Sequence, residues 1–290
     1  MPEFFKVVTP AQVFEILSGF NRLGVETVPL DDALHRVCGA DIDSPEDLPP
    51  LPRSTMDGYA VRAADTFGAS DSIPTLLDVA GAVAMGQIPG IAVGPGQAAA
   101  IPTGGFLPQG ADAVVMVEYT SPAGEGAIEI SRPVTAGENV LGKAEDAARG
   151  DIVIPAGKRL LPQEIGLLAG LGITRVPVHR RPKAALISTG DEIVPVTNTP
   201  TPGKIRDINS HSIAALVRAA GGEVEIFAPV QDDPALLRDA LGRALAWADV
   251  VVLSGGSSVG ERDHMLRVVS SLPGSVVHAH GIAISPGKPT

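Results

Sequence analysis

From Arg180 onward, runs of aliphatic residues alternate with amphipathic stretches, and this alternation limits what the chain can fold into more than any other feature. Lys183–Ser188, Glu223–Phe227, Val250–Leu253 and Ser275–His278 have the apolar, β-branched character of strands. Between them, Ser212 is expected to cap a helix whose Ile213, Leu216, Val217 and Ala220 share one face before Gly221-Gly222 ends it. Asp233 and Pro234 open a helix with Leu237, Leu241, Ala244 and Leu245 inward, and Met265–Val269 lies in a third. Strand-helix alternation of this kind predicts a parallel sheet covered on both faces. Ligands then bind beyond the carboxyl ends of the strands, where the loops gather.

Upstream the pattern is different. Thr9, Pro10 and Gln12 make a capping box with proline at the first helical position, and Gly19 is the expected stop. A second short helix is expected after Leu30, capped by Asp31 or Asp32, with Ala33, Leu34 and Val37 apolar. Asp47 to Pro52 is too rich in proline for a helix or an inner strand and reads as a crossing between domains. Thr75–Ala84, Gln97–Ile101, Ala113–Val117 and Ala127–Ile130 are short strands punctuated by Gly-Pro-Gly and Gly-Gly turns, the signature of a small β domain. The strand Asp151–Ile154, the helix Pro162–Ala169 and the strand Ile173–Val178 follow, and these return to pair with the first 45 residues if the β domain is an insertion.

With 290 residues, 44% of them hydrophobic, the chain holds more than one core. A net charge of −11, with no long Lys/Arg run, excludes a nucleic-acid backbone as partner, and 3% aromatic residues leave no stacking platform for single strands. Cys38 is the single cysteine, so neither a disulfide framework nor a cysteine-clustered metal site can form; it reads as a buried apolar residue. The six histidines are scattered, and neither HExxH nor a GxSxG elbow with an obvious partner occurs. No signal-peptide pattern and no run of ~18 apolar residues is present, so no membrane is expected and the cytoplasm is the default.

The polar residues that exceed structural need fall in a few places. Ser254-Gly-Gly-Ser-Ser-Val-Gly-Glu-Arg-Asp263 follows a buried strand and precedes a helix, where Gly255, Gly256 and Gly260 let backbone N–H groups approach a phosphate and Ser257 and Ser258 add hydroxyls. A plain turn would explain the glycines but not the polar residues around them. Asp191 and Glu192, after Ser188-Thr-Gly190, should share that sheet edge with Asp232, Asp233 and Asp263. Carboxylates beside an anion cradle are consistent with a shared Mg²⁺, whereas Asp233 is explained as a helix cap and the others can be surface turns or first-turn acids. Arg53-Ser-Thr-Met-Asp-Gly-Tyr59 is denser in polar groups than capping requires, and Ile101-Pro-Thr-Gly-Gly105 exposes Thr103 at a turn. In Pro286-Gly-Lys-Pro289, Lys288 meets an anion or the prolines merely shape a loop.

In their order these segments resemble the molybdopterin molybdenumtransferase family. The resemblance rests on Ser54-Thr-Met-Asp-Gly-Tyr-Ala-Val61, Ile101-Pro-Thr-Gly with Gly110-Ala-Asp-Ala-Val-Val-Met-Val-Glu118, and Ser188-Thr-Gly-Asp-Glu192. It continues through Ser210, Asp232-Asp-Pro234, Ser254 to Gly260 with Asp263, and Pro286-Gly-Lys-Pro289. It implies insertion of molybdate or tungstate into adenylylated molybdopterin with release of AMP and with Mg²⁺ as cofactor. It implies a multidomain α/β protein: a discontinuous mixed domain at 1–46 and 145–179, an inserted β domain at 47–144, and an α/β domain from 180 to 290. That last domain resembles molybdopterin-adenylylating proteins.

The resemblance further implies an elongated homodimer with the inserted domain of one subunit near the α/β domain of the other, and contact with the adenylylating protein. By the same resemblance, Asp57, Thr103, Glu192 and Asp263 are catalytic. Ser188, Gly190, Asp191, Ser254, Gly255, Gly256, Ser257, Ser258, Gly260 and Lys288 bind the pterin substrate, and Asp191, Glu192, Asp232 and Asp263 hold the metal. Two departures stand out: Ser285 replaces a usual lysine, and 138–146 carries less arginine than the family pattern. The family pattern also places Thr290 inside the α/β domain, ahead of its last elements and of a C-terminal β domain. Adenylyl transfer and a non-catalytic cofactor-binding scaffold remain as alternative functions.

Overall fold

A computed structural model describes residues 7–255 and 264–284. The chain divides into two compact units, one of Met1–Gly39, Arg159–Leu161 and Arg175–Thr290, the other of Ala40–Lys158 and Pro162–Thr174.

The first unit opens with helix α1 (Pro10–Ser18), in which Thr9 and Gln12 form the reciprocal capping box and Gly19 closes the last turn. Val25–Pro29 then pairs antiparallel with Arg175–His179, from Val25 opposite His179 to Pro29 opposite Arg175. The helix expected after Leu30 is only a single 3-10 turn, Leu30–Asp32. Its extension is stopped at His35, whose φ of 63° is left-handed. The following residues are committed to pairing instead: His35 N–H donates to Leu160 O, and Val37 and Cys38 bridge to Arg159 and Val178. Cys38 is buried.

The same unit carries a three-stranded parallel sheet in the order Glu223–Ile226, Lys183–Ser188, Val250–Ser254. Ala185 and Ile187 of the central strand pack on Leu237, Ala240, Leu241 and Ala244 of one helix and Val268 of another. Those helices lie beyond α2 and α3 in the chain: α2 is Pro162–Gly170, α3 is Asn209–Ala219, α4 is Pro234–Trp247 and α5 is His264–Ser270. Side chains alternate across a strand, so Ala184, Leu186 and Ser188 face the opposite side, where α3 meets the sheet. Three layers result, as the strand-helix alternation predicts.

Details of this region differ from expectation. Helix α3 begins at Asn209, so Ser212 lies inside it, and its inward residues are Ser210 and Ala214, leaving Leu216 70% exposed. Asp233 does cap α4, accepting from Ala235 and Leu236 N–H, but Leu245 is 52% exposed while Ala240 takes the inward place. Ser275–His278 is not a strand. Its β-branched valines are exposed and have no neighbouring strand among the described residues, and β-propensity without a ladder partner does not make a strand.

The second unit is built on a six-stranded sheet in the order Ala113–Met116, Gly58–Val61, Gln97–Ile101, Thr75–Ala82, Ala127–Ile130, Thr120–Pro122. All neighbours are antiparallel except Thr75–Ala82 with Gln97–Ile101, which run parallel. Val61, Leu77, Ala98, Val115, Ile128 and Ile130 make its main core. Sequence reading finds four of these six strands and misses the edge strand Thr120–Pro122 and Gly58–Val61, which lies between two of the others. In the same unit Ile42–Asp43 pairs with Ile152–Ile154, and α2 follows.

Candidate functional site

Two clusters of polar side chains emerge, one in each unit. In the α/β unit, Ser188 and Ser254 end adjacent parallel strands in register, so both stand at the carboxyl edge of the sheet. The chain beyond each strand is held there by backbone bonds. Thr189 N–H donates to Ser254 O at 2.8 Å, and Gly190 N–H donates to Val230 O at 3.0 Å. Gly255 has φ 131°, and a Cβ on it would stand 2.1 Å from Thr189 O. Only glycine lets the two loops approach this closely.

Beneath these loops lies a buried polar group. Ser188, Asp207 and Ser210 are 2%, 4% and 2% exposed. The Ser188 hydroxyl donates to Asp207 Oδ1 at 2.8 Å and lies 2.9 Å from Ser210 Oγ and 3.0 Å from Ser254 Oγ. Ser210 N–H donates to the same Oδ1 at 3.0 Å. Burial pushes the Asp207 carboxyl up. Hydrogen bonds from Ser210 backbone, Ser210 side chain and Ser188, with the nearby His211 charge, more than reverse that and hold it below its ordinary value.

Of the carboxylates expected at this edge, Asp191, Glu192, Asp232 and Asp233 are exposed. Asp191 Oδ1 accepts from Asp232 N–H at 3.3 Å, which places these two residues side by side. Lys204 Nζ donates to Asp191 O at 2.5 Å. Glu192 follows directly, its backbone carbonyl accepting from Ile205 N–H and its carboxylate lying against Gly190. Among the described residues, no three His, Cys, Asp or Glu side chains are grouped as metal ligands. Gly256, Ser257, Ser258, Gly260, Asp263, Ser285 and Lys288 lie outside the described residues.

In the β unit the structure joins Arg53–Tyr59 to Ile101–Gly105. Thr103 N–H donates to Asp57 Oδ1 at 2.7 Å, Gly104 N–H to Ser54 O at 2.8 Å, and Ser54 N–H to Gly105 O at 2.9 Å. The Asp57 carboxyl is held below its ordinary value by the Thr103 backbone N–H first and the Thr103 side chain second, against a small opposing effect of burial. Asp57 and Thr103 are both exposed. The corner is thus an ionised carboxylate fixed at a turn.

Sequence reading missed Asp207. The signal was available in the spacing of Asp207 and Ser210, an acid three residues ahead of an N–H at a helix start. Placing the cap of α3 at Ser212 concealed it.

Residues 8–172 match the family described as the MoeA N-terminal region (domain I and II), and this match covers more than half of the chain. The chain belongs to the MoeA family. Residues 185–290 match a second description, the probable molybdopterin binding domain. A MoeA-family relative from Nostoc sp., named molybdopterin molybdenumtransferase, is 38% identical over 269 residues, or 93% of this chain and 61% of that protein. The Bacillus subtilis protein of the same name is 35% identical over 275 residues, 93% of this chain and 64% of that one. The chain therefore spans less than two thirds of the length of these curated relatives. Two crystal structures of the molybdopterin biosynthesis MoeA protein from Pyrococcus horikoshii cover 98% of this chain and 71% of theirs. They match at 41% identity with a TM-score of 0.76, and at 32% with 0.80. No described helix is long and apolar enough to cross a membrane.

Proposed function

We propose that this chain carries the site of a molybdopterin molybdenumtransferase, which inserts molybdate into adenylylated molybdopterin and releases AMP. One observation carries the reading: proteins of that name match 93% of the chain. Because the match includes residues 8–172, metal insertion is favoured over adenylyl transfer by the α/β domain alone. We divide the chain into a discontinuous domain at 1–46 and 145–179, an inserted β domain at 47–144 and the α/β domain from 180. We place the protein in the cytoplasm as a homodimer. In it, the Asp57–Thr103 corner of one subunit serves the α/β domain of its partner, and the molybdopterin-adenylylating protein hands over the substrate.

The chemistry asks for positioned anions more than for a protein nucleophile. Backbone N–H groups from Gly255 to Gly260, with Ser257 and Ser258, hold the phosphate, and Lys288 supplies a fixed positive charge. Asp57, already ionised and pinned by Thr103 N–H, orients a donor group of the substrate. Asp191, beside Asp232 at the carboxyl edge, and the exposed Glu192 that follows it would offer oxygen donors of the kind that suit Mg²⁺, with Asp263 as a fourth carboxylate. When bound, that cation would offset the charge gathered at the phosphoanhydride. Molybdate enters as substrate.

The test is AMP release from adenylylated molybdopterin with molybdate, with and without Mg²⁺. Activity is expected only with the cation, and Asp57→Asn is expected to lower kcat by roughly 100-fold with the fold retained, the loss usual for one preorganised polar group. Unchanged release in Asp57→Asn would remove this corner from the site, and absence of release from the unsubstituted chain would overturn metal insertion by these residues alone.

A further inference from the structure

The buried group at the carboxyl edge has a direction, and the direction restricts its ligand. A serine hydroxyl has one proton to donate and two lone pairs to accept with. Ser188 Oγ lies within 3.0 Å of three oxygens: Asp207 Oδ1, Ser210 Oγ and Ser254 Oγ. Asp207 is the ionised member, and a bond to an ionised acceptor is about twice as strong as one between neutral groups. The Ser188 proton therefore goes to Asp207. Two hydroxyl oxygens 3.0 Å apart need a proton between them, so Ser254 must donate to Ser188. Ser254 has then spent its only proton inward and keeps only lone pairs for a ligand.

We propose that the Ser254 side chain is an acceptor that reads an N–H or O–H donor on the ligand, and that Asp207 is the positioning residue that imposes this polarity through Ser188. An ionised phosphate or molybdate oxygen, itself only an acceptor, cannot be the partner of this hydroxyl. The donor could belong to the pterin ring or to the adenosine of an adenylylated substrate. Ser188, buried, donating to Asp207 and accepting from Ser254, sets the geometry without touching the ligand. The inference rests on the molybdopterin reading of the site and assigns one side chain within it: anion binding falls to the backbone and the other hydroxyls, and donor recognition to Ser254.

Three probes separate the possibilities when titrated against the full chain: 6-hydroxymethylpterin, AMP and pyrophosphate. Ser254→Ala is expected to weaken 6-hydroxymethylpterin or AMP by about fivefold to tenfold, the loss of one hydrogen bond, and to leave pyrophosphate unchanged. Whichever of the first two is weakened identifies the source of the donor. Ser188→Ala removes the inward acceptor and releases the Ser254 proton. That variant should weaken the same donor-bearing probe and tighten pyrophosphate, and the gain should vanish in the double Ser188→Ala, Ser254→Ala variant. A role in folding alone would not reverse ligand preference. Weaker pyrophosphate binding in Ser254→Ala, or no change with any probe, overturns the inference while leaving the molybdopterin reading in place. Failure of the unsubstituted chain to bind any of the three overturns both.

Discussion

Asp207 shows how a residue can be decisive in the structure and unremarkable in the sequence. The acids that attract attention in a sequence are those in clusters, such as Asp191-Glu192 and Asp232-Asp233, and in the structure these are the exposed ones. Asp207 is isolated between Arg206 and Ile208, and only the fold surrounds it with Ser188 and Ser210. Its depressed pKa makes folding pH-dependent with a definite sign. A carboxyl more acidic folded than unfolded contributes stability that is fully present above the unfolded value, near 3.8, and is lost as pH falls through the folded value. Asp207→Asn keeps the size of the side chain but has no charge to lose. It should be less stable than the parent at pH 7 by about 1.5–3 kcal/mol, the range for hydrogen bonds to a charged group. The gap should narrow as the pH is lowered past 3.8, which urea midpoints at pH 7 and at a pH well below 3.8 would measure. A gap independent of pH would mean that the carboxyl is not ionised in the folded state.

Elements were legible where local chemistry and tertiary context agreed. Thr9-Pro10-Ala-Gln12 and Asp233-Pro234 start helices because their caps are satisfied within a few residues, and both starts appear where the sequence places them. Lys183–Ser188 was legible to the residue, since its apolar run Ala184–Ile187 is buried and the polar Lys183 and Ser188 mark its ends. Elements that depend on distant partners were not legible. Ser275–His278 has strand composition and no partner, whereas Gly58–Val61 has only four residues, begins with glycine, and is a strand because neighbours pair with both its edges. Gly58 is the reason it fits. A Cβ there would stand 1.9 Å from Val115 O, a backbone atom that can retreat only by opening the ladder. Gly58→Ala should therefore cost roughly 3 kcal/mol, the upper range for overfilling a close contact. Because Val117 N–H donates to Asp57 O across the same ladder, the substitution should also lower activity beyond its effect on the folded fraction. Wild-type stability in Gly58→Ala would show that the two strands can separate at no cost.

At the scale of the whole molecule, the candidate site residues were legible as an ordered set of motifs, but their grouping was not. The structure joins Asp57 to Thr103 in one unit and gathers Ser188, Asp191, Asp232 and Ser254 in the other. Residues 41 or more apart in sequence meet only through the sheets, and motif order carries no information about that. The proposed homodimer makes a claim that a single-subunit site would not: Asp57 acts on the substrate held by the partner. Asp57→Asn and Glu192→Gln chains, each poorly active alone, should then complement one another when mixed. In a heterodimer one site receives both defects and the other receives neither, so each mixed pair holds one intact site. Random exchange makes half of the dimers mixed, and the mixture should recover about a quarter of the parent rate of AMP release. Sedimentation of the same samples at tens of micromolar gives the fraction of dimer on which that value depends. Dimers without recovered activity would place both residues in a site built by one subunit, and a monomer would overturn the proposed assembly.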